Sequence, residues 1–267
     1  MEALGIIGNI SRDVAVYPGD HRVELLGGAA LHVGLAATRA GLASAPIAVI
    51  GTDLAWLREE PRLADVDLRY VKASPGMSCA FRLSYDEGSQ LTGTSCDYGV
   101  AAGLTSHVLK VLGQHRRYHV CCRRPLDVPS VLGRLVKAGI PFSTDFHIAS
   151  APAVIPAAAA ALPRASIVFV NVAEFAVLNR VAEPAQLPAV VISDGPRAVT
   201  MLRRGRVVAR VAPPVARAVE VTGAGDTLAG TFLAASACGL GDEPALQAAV
   251  RAAAESVSDP GLVIGPR

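Results

Sequence analysis

Short apolar runs recur along the chain, separated by stretches with helical spacing. Leu4–Gly8 and Pro46–Ile50 are apolar throughout, as expected of strands buried on both faces, and Tyr118–Cys122, Ile140–Thr144, Ile167–Val170 and Ala189–Ser193 repeat the theme. Between them, Ala29–Ala40, Leu104–Leu112, Val128–Ala138, Ala151–Leu162 and Ala173–Asn179 carry helical patterns, the first stopped by Gly41. Strands alternating with helices predict a doubly wound parallel sheet covered on both sides. Ala198–Leu202 and Val207–Val211, joined by Arg203-Arg204-Gly205-Arg206, predict a hairpin at its end, and helices Thr227–Ala237 and Ala245–Ser256 close the chain. Asn9–Asp13 reads as a loop after the first strand.

Two stretches depart from this pattern. His21–Leu26 alternates apolar and polar positions, and so do Leu68–Lys72, Cys79–Tyr85 and Gln90–Thr94, broken by Ser74-Pro75-Gly76 and Asp86-Glu87-Gly88. Period-two alternation marks half-buried antiparallel strands. The expected organisation is one domain over residues 1–267, with a small antiparallel β-lid from segments of about 17–27 and 68–95.

Composition fits a sizeable core: 267 residues, 51% hydrophobic and 18% charged. A net charge of +2 and 4% aromatics leave neither the basic patch nor the stacking surface expected of a nucleic-acid binder. Three lysines against 22 arginines fit genome base composition as well as any function. The apolar stretch Ile167–Leu178 is interrupted by Asn171 and Glu174, so no membrane span is expected. The N-terminus has no basic region of signal-peptide type. The five cysteines form no CxxC pair and lack zinc-ligand spacing, which predicts reduced, mostly buried thiols in a cytoplasmic protein.

The chemistry concentrates in Thr222-Gly223-Ala224-Gly225-Asp226, a glycine-rich turn entering an apolar helix. Glycines let backbone N–H groups converge, and a helix N-terminus adds partial positive charge, so the run could cradle a phosphoryl group. Taken alone it reads first as a glycine turn with Asp226 as N-cap. It is neither a Walker A loop nor a GxGxxG fingerprint, which disfavours a dinucleotide-binding oxidoreductase.

Four segments together resemble the ribokinase-like, PfkB-type carbohydrate kinases, a family that includes nucleoside kinases. They are the Thr222–Asp226 run; Gly27-Gly28 with the helix that follows; Asn171-Val172-Ala173-Glu174, similar to the family's NxxE motif; and Val190-Val191-Ile192-Ser193-Asp194-Gly195. Their order and spacing cover nearly the whole chain. The resemblance implies ATP-dependent phosphorylation of a hydroxyl on a sugar or sugar-like polyol, or on a nucleoside; a non-catalytic ligand sensor on the same fold would not need Asp226.

The resemblance also implies roles. Asp226 would be the base, and Gly223, Ala224 and Gly225 the anion hole. Asn171 and Glu174 would order Mg²⁺ through water, with a helix cap as their plain alternative. Thr222, Ser193 and Gly195 would line the nucleotide, and Asp13, Gly28 and His32 the acceptor. His32 stands where the family usually has Asn, His147 stands where an Asn often follows the aspartate at Asp145, and Glu220 replaces the Asp that helps to hold a monovalent cation. The connection Asp53–Asp65 is shorter than usual. Pairing of the lid edges into a homodimer is expected.

Overall fold

The computed structural model describes residues 2–86, 91–216, 221–258 and 261–264. Its centre is a nine-stranded sheet. The first strand, β1 (Leu4–Ile7), is followed by β2 (Ser11–Tyr17), β3 (His21–Gly27), helix α1 (Ala29–Arg39), β4 (Ser44–Ile50), β5 (Val71–Ala73), β6 (Ala80–Tyr85) and β7 (Leu91–Asp97). Then come α2 (Leu104–Val111), β8 (Tyr118–Cys122), α3 (Val128–Ala138), β9 (Phe142–Phe146), α4 (Ala151–Ala158), β10 (Val168–Asn171), α5 (Val172–Leu178) and β11 (Ala189–Asp194). The antiparallel hairpin β12 (Arg197–Arg203) and β13 (Arg206–Val211) precedes α6 (Ala224–Ala237) and α7 (Asp242–Ser256).

The sheet order is β13-β12-β11-β10-β9-β8-β1-β4-β5, parallel from β11 through β5. Chain order reverses on either side of β1, so the C-terminal ends of β1 and β8 flank a switch point, where open α/β sheets bind ligands. Both faces are covered. On one, Val120, Phe142, Val168 and Val190 pack with Val131 and Leu135 of α3 and Ile155 of α4. On the other, Phe169 and Val191 meet Leu228 and Phe232 of α6 and Val250 of α7. Burial on two faces is why these strands have no polar alternation.

A second sheet, ordered β3-β2-β6-β7, is built of two antiparallel hairpins joined by a parallel β2–β6 pair. Two expectations change here. Ser11–Asp13, expected in a loop, opens the strand Ser11–Tyr17; the buried positions Ser11 and Asp13 are polar and hid it in the sequence. Leu68–Lys72 does not join the small sheet. Leu68–Tyr70 is a 3-10 turn capped by Asp67, and Val71–Ala73 pairs in parallel with β4 at the edge of the central sheet. The turn Glu87–Gly88 and Gln90 fall outside the described residues. Asp53–Asp65 is a run of 3-10 turns covered by buried Leu54, Leu57 and Leu63. Among the described residues no helix is long and apolar enough to cross a membrane, and the five cysteines are unbridged.

Candidate active site

The C-terminal ends of β8, β9, β10 and β11 and the N-terminus of α6 enclose a cavity of about 270 Å³. Of the residues expected in the site, Asp226, Gly225, Asn171, Glu174 and Ser193 line it together. Arg123, Asp145 and His147 complete its polar wall. The volume lies just under the roughly 300–1,000 Å³ of small-ligand pockets.

Helix α6 begins three residues earlier than its apolar pattern suggests, since Ala224 and Gly225 contribute no side-chain periodicity. Its N-cap is Gly223, at φ +81°, a left-handed conformation that suits a residue without Cβ. Asp226 is therefore inside the first turn rather than capping it. Of the first-turn N–H groups, that of Ala224 donates to the Val221 carbonyl at 3.3 Å and that of Thr227 to the Gly223 carbonyl at 2.8 Å. Those of Gly225 and Asp226 are left at the open end of the helix, where the dipole favours negative charge.

Asp226 is the electrostatic centre. Arg123, directly after β8, donates through one nitrogen, Nη2, to Asp145 Oδ2 at 2.6 Å and to Asp226 Oδ1 at 3.3 Å. Burial pushes the Asp226 carboxyl up, but Arg123, His32 and a hydrogen bond with Asp145 outweigh it and hold it below the usual carboxylate range. Burial raises Asp145 well above that range, with the Asp226 charge adding to the effect. Two carboxylates crowded together disfavour each other's ionisation, and the single guanidinium of Arg123 stands between them.

Under the cavity floor, His119 is fully buried, its Nδ1 2.9 Å from Ser143 Oγ and its ring edge-on to Phe169 at 5.9 Å. Burial pushes its pKa down to about 3, so the ring is neutral. The ligand-type atoms of His119, Cys121 and Asp145 fall within 4.8 Å of one another, a grouping invisible in the spacing of the cysteines. The Arg123 guanidinium already pairs with Asp145 and sets a like charge against any cation there, so we read the three as the buried underside of the Asp226 site.

Asn171 and Glu174 form a reciprocal capping box on α5: Glu174 N–H donates to Asn171 Oδ1 and Asn171 N–H to Glu174 Oε2, both at 2.9 Å. Glu174 is only 4% exposed, and burial raises its pKa. The box uses Oε2 alone and leaves a hard oxygen donor at the cavity rim.

The remaining expected residues lie apart from this cavity. Thr222 and His32 line a larger one of about 480 Å³ between α1, α6 and α7, with Arg39, Thr227, Thr231 and Glu255. His32, on α1, lies against Gly223. Gly195 turns the chain between β11 and β12 at φ +55°. Asp13 is buried in β2 and accepts from Phe81 N–H at 3.1 Å, and Gly28 stands beside Asn9, whose carbonyl oxygen would lie 2.3 Å from a Cβ at that position. Glu220, on which the cation expectation rests, is outside the described residues. Arg123 went unnoticed in the sequence because no motif contains it.

A family model described as "pfkB family carbohydrate kinase" matches residues 6–266. Solved structures show the same fold at low identity. The nucleoside kinase of Burkholderia thailandensis in complex with inosine aligns at TM-score 0.82 and 18% identity, covering 97% of this chain and 92% of that one. A putative ribokinase II from E. coli in complex with ATP and Mg²⁺ aligns at TM-score 0.82 and 19% identity, covering 98% and 94%. The adenosine kinase of Schistosoma mansoni in complex with 2-fluoroadenosine aligns at TM-score 0.82 and 15% identity, covering 100% and 98%. No curated protein matches the chain.

Proposed function

The chain belongs to the pfkB family of carbohydrate kinases, and from that premise we propose that it transfers the γ-phosphoryl group of ATP to a hydroxyl of a sugar or sugar-like polyol, with Asp226 as the base. One observation carries this reading: a buried carboxylate, paired with Arg123, stands at the open N-terminus of α6 in the cavity that also holds Asn171, Glu174 and Ser193.

In this reading the acceptor hydroxyl meets Asp226, which takes its proton as the oxygen attacks phosphorus. The N–H groups of Gly225 and Asp226 face the negative charge on the phosphoryl oxygens. Gly223 serves the anion hole by shaping the turn, since the Ala224 N–H is committed to Val221. Phosphoryl transfer asks for positioning and charge stabilisation more than covalent chemistry, so few groups suffice.

The donor set suits Mg²⁺, which prefers oxygen ligands and keeps several waters. Glu174, its carboxylate fixed by the capping box, and Asn171 would hold the ion's waters, with the E. coli neighbour's ATP and Mg²⁺ as support. The ion would neutralise charge on the phosphates. Ser193 would line the nucleotide beside them, with Gly195 and Thr222 further along it. Asp13, Gly28 and His32 would face the acceptor, under a lid formed by the small sheet.

A second reading, a nucleoside acceptor, draws on the inosine and 2-fluoroadenosine complexes of the neighbours. A panel of sugars, cyclitols and nucleosides with ATP and Mg²⁺, read as ADP formation, tests both. Turnover of a free sugar or polyol selects the first reading and turnover of nucleosides alone the second. ADP formation indifferent to every hydroxyl compound would defeat both.

A further inference from the structure

Arg123 sits where no motif anticipates a charge. It leaves the end of β8 beside the switch point, and the segment is tied to the connection between β1 and β2 by Asn9 Nδ2, which donates to the Arg124 carbonyl at 3.1 Å. Its side chain is 15% exposed, and its Nε is buried and unpartnered. Its Nη2 bridges carboxylates that arrive from separate elements, Asp145 from β9 and Asp226 from α6.

Resting on the reading of Asp226 as the base, we propose that Arg123 is its positioning residue: the guanidinium fixes the orientation of the Asp226 carboxylate, with Asp145 as second anchor, and keeps it ionised and ready for the acceptor's proton. The groups that face Asp226 make the choice specific. They are His119 and Cys121 from β8, Asp145 and His147 from β9 and its following loop, Glu174 from α5 and His32 from α1. Burial holds His119 and His147 towards their neutral forms, and Asp145 and Glu174 towards the protonated acid. A guanidinium stays charged at every pH a protein survives, and its planar geometry holds a carboxylate in one orientation. Arg123 is thus the permanent cation of the set.

The test begins on the ligand-free protein and needs no acceptor. With ¹³C-labelled aspartate, the Asp226 carboxyl signal is identified by its loss in Asp226→Asn, then titrated in wild type and Arg123→Met. An opposite charge at this range lowers an aspartate by about 1–3 pH units, so its removal should raise the midpoint by roughly one unit or more. Arg123→Gln, whose amide can still meet Asp145, gives the same reading if the methionine variant does not fold. An unmoved midpoint in a folded variant overturns the proposal.

The second arm uses whichever panel compound wild type phosphorylates. Loss of Arg123 should lower kcat by about tenfold or more and leave the KM for ATP within about threefold, with Arg123→Lys recovering part of the loss. Wild-type kcat in either neutral variant also overturns it. If wild type phosphorylates nothing in the panel, the base reading falls on that ground alone, while the carboxyl titration still decides whether Arg123 holds Asp226.

Discussion

The ring of His32 lies against Gly223: a Cβ built on that glycine would meet the imidazole at 3.0 Å. Helix α1 thus presses on the turn that starts α6 two positions before Gly225, and the same imidazole helps to hold Asp226 below the usual carboxylate range. Gly223→Ala meets two obstacles, the positive φ of +81° and the ring. A left-handed conformation alone costs a residue with Cβ about 1–2 kcal/mol, so a melting temperature lowered by several degrees is expected. Adding His32→Ala should return only the part due to crowding, leaving the backbone part. Thermal melts of the two single variants and the double variant measure this, and strictly additive losses would mean that the contact carries no energy.

Asn171 and Glu174 can be separated by substitution, because one cap serves the fold and one carboxylate would serve the metal. Asn171→Ala removes the acceptor for Glu174 N–H and should cost about 1 kcal/mol of stability. Glu174→Gln keeps an oxygen that can accept from Asn171 N–H, so its stability should change little. It loses the charge, however, and the Mg²⁺ concentration for half-maximal ADP formation should rise by roughly tenfold. A Mg²⁺ requirement identical to wild type would leave Glu174 as a cap only.

The parallel core was legible because two-sided burial writes itself as unbroken apolar runs, as in Val168–Val170. Legibility failed where chemistry and strand share residues. Ser11–Tyr17 carries Asp13 on a buried position, so an expected ligand disguised the start of a strand as a loop. Leu68–Lys72 alternates as a lid strand would, yet alternation names no pairing partner, and Val71–Ala73 found β4. The turn Thr222–Gly225 and the NxxE segment were visible as local signals. Arg123 was not, because its role comes from Asp145 and Asp226, 22 and 103 residues away.

His119 should make stability depend on pH. Its folded-state pKa is pushed down to about 3, whereas the unfolded chain titrates near 6.5. Between these values the unfolded state binds the extra proton, so stability rises with pH through this window and falls as the solution is acidified, by at most about 1.4 kcal/mol per pH unit for one proton. His119→Asn keeps a partner for Ser143 and removes the titrating ring. Urea unfolding at pH 7, 6 and 5 should show a variant that is weaker at pH 7 but declines less on acidification. A decline as steep as wild type would place the acid sensitivity elsewhere.

Asp226 should be needed for turnover but not for nucleotide binding. Asp226→Asn keeps the shape and can still accept from Arg123 through its amide oxygen, but it removes the negative charge and the proton acceptor. General-base steps contribute about 10²–10⁴-fold, so kcat should fall by at least the lower figure. Affinity for ATP should hold or tighten, because a carboxylate beside the γ-phosphate repels it. Arg123 and Asp145 remain paired at 2.6 Å, so the floor of the cavity should survive, and circular dichroism and a melting curve can check this before kinetics begin. Isothermal titration with a non-hydrolysable ATP analogue then separates binding from chemistry. A folded Asp226→Asn protein that phosphorylates the acceptor at the wild-type rate would falsify the base assignment. A variant that binds nucleotide as wild type does and has lost turnover would instead separate a kinase from a sensor on this fold, since a sensor would lose nothing with its carboxylate.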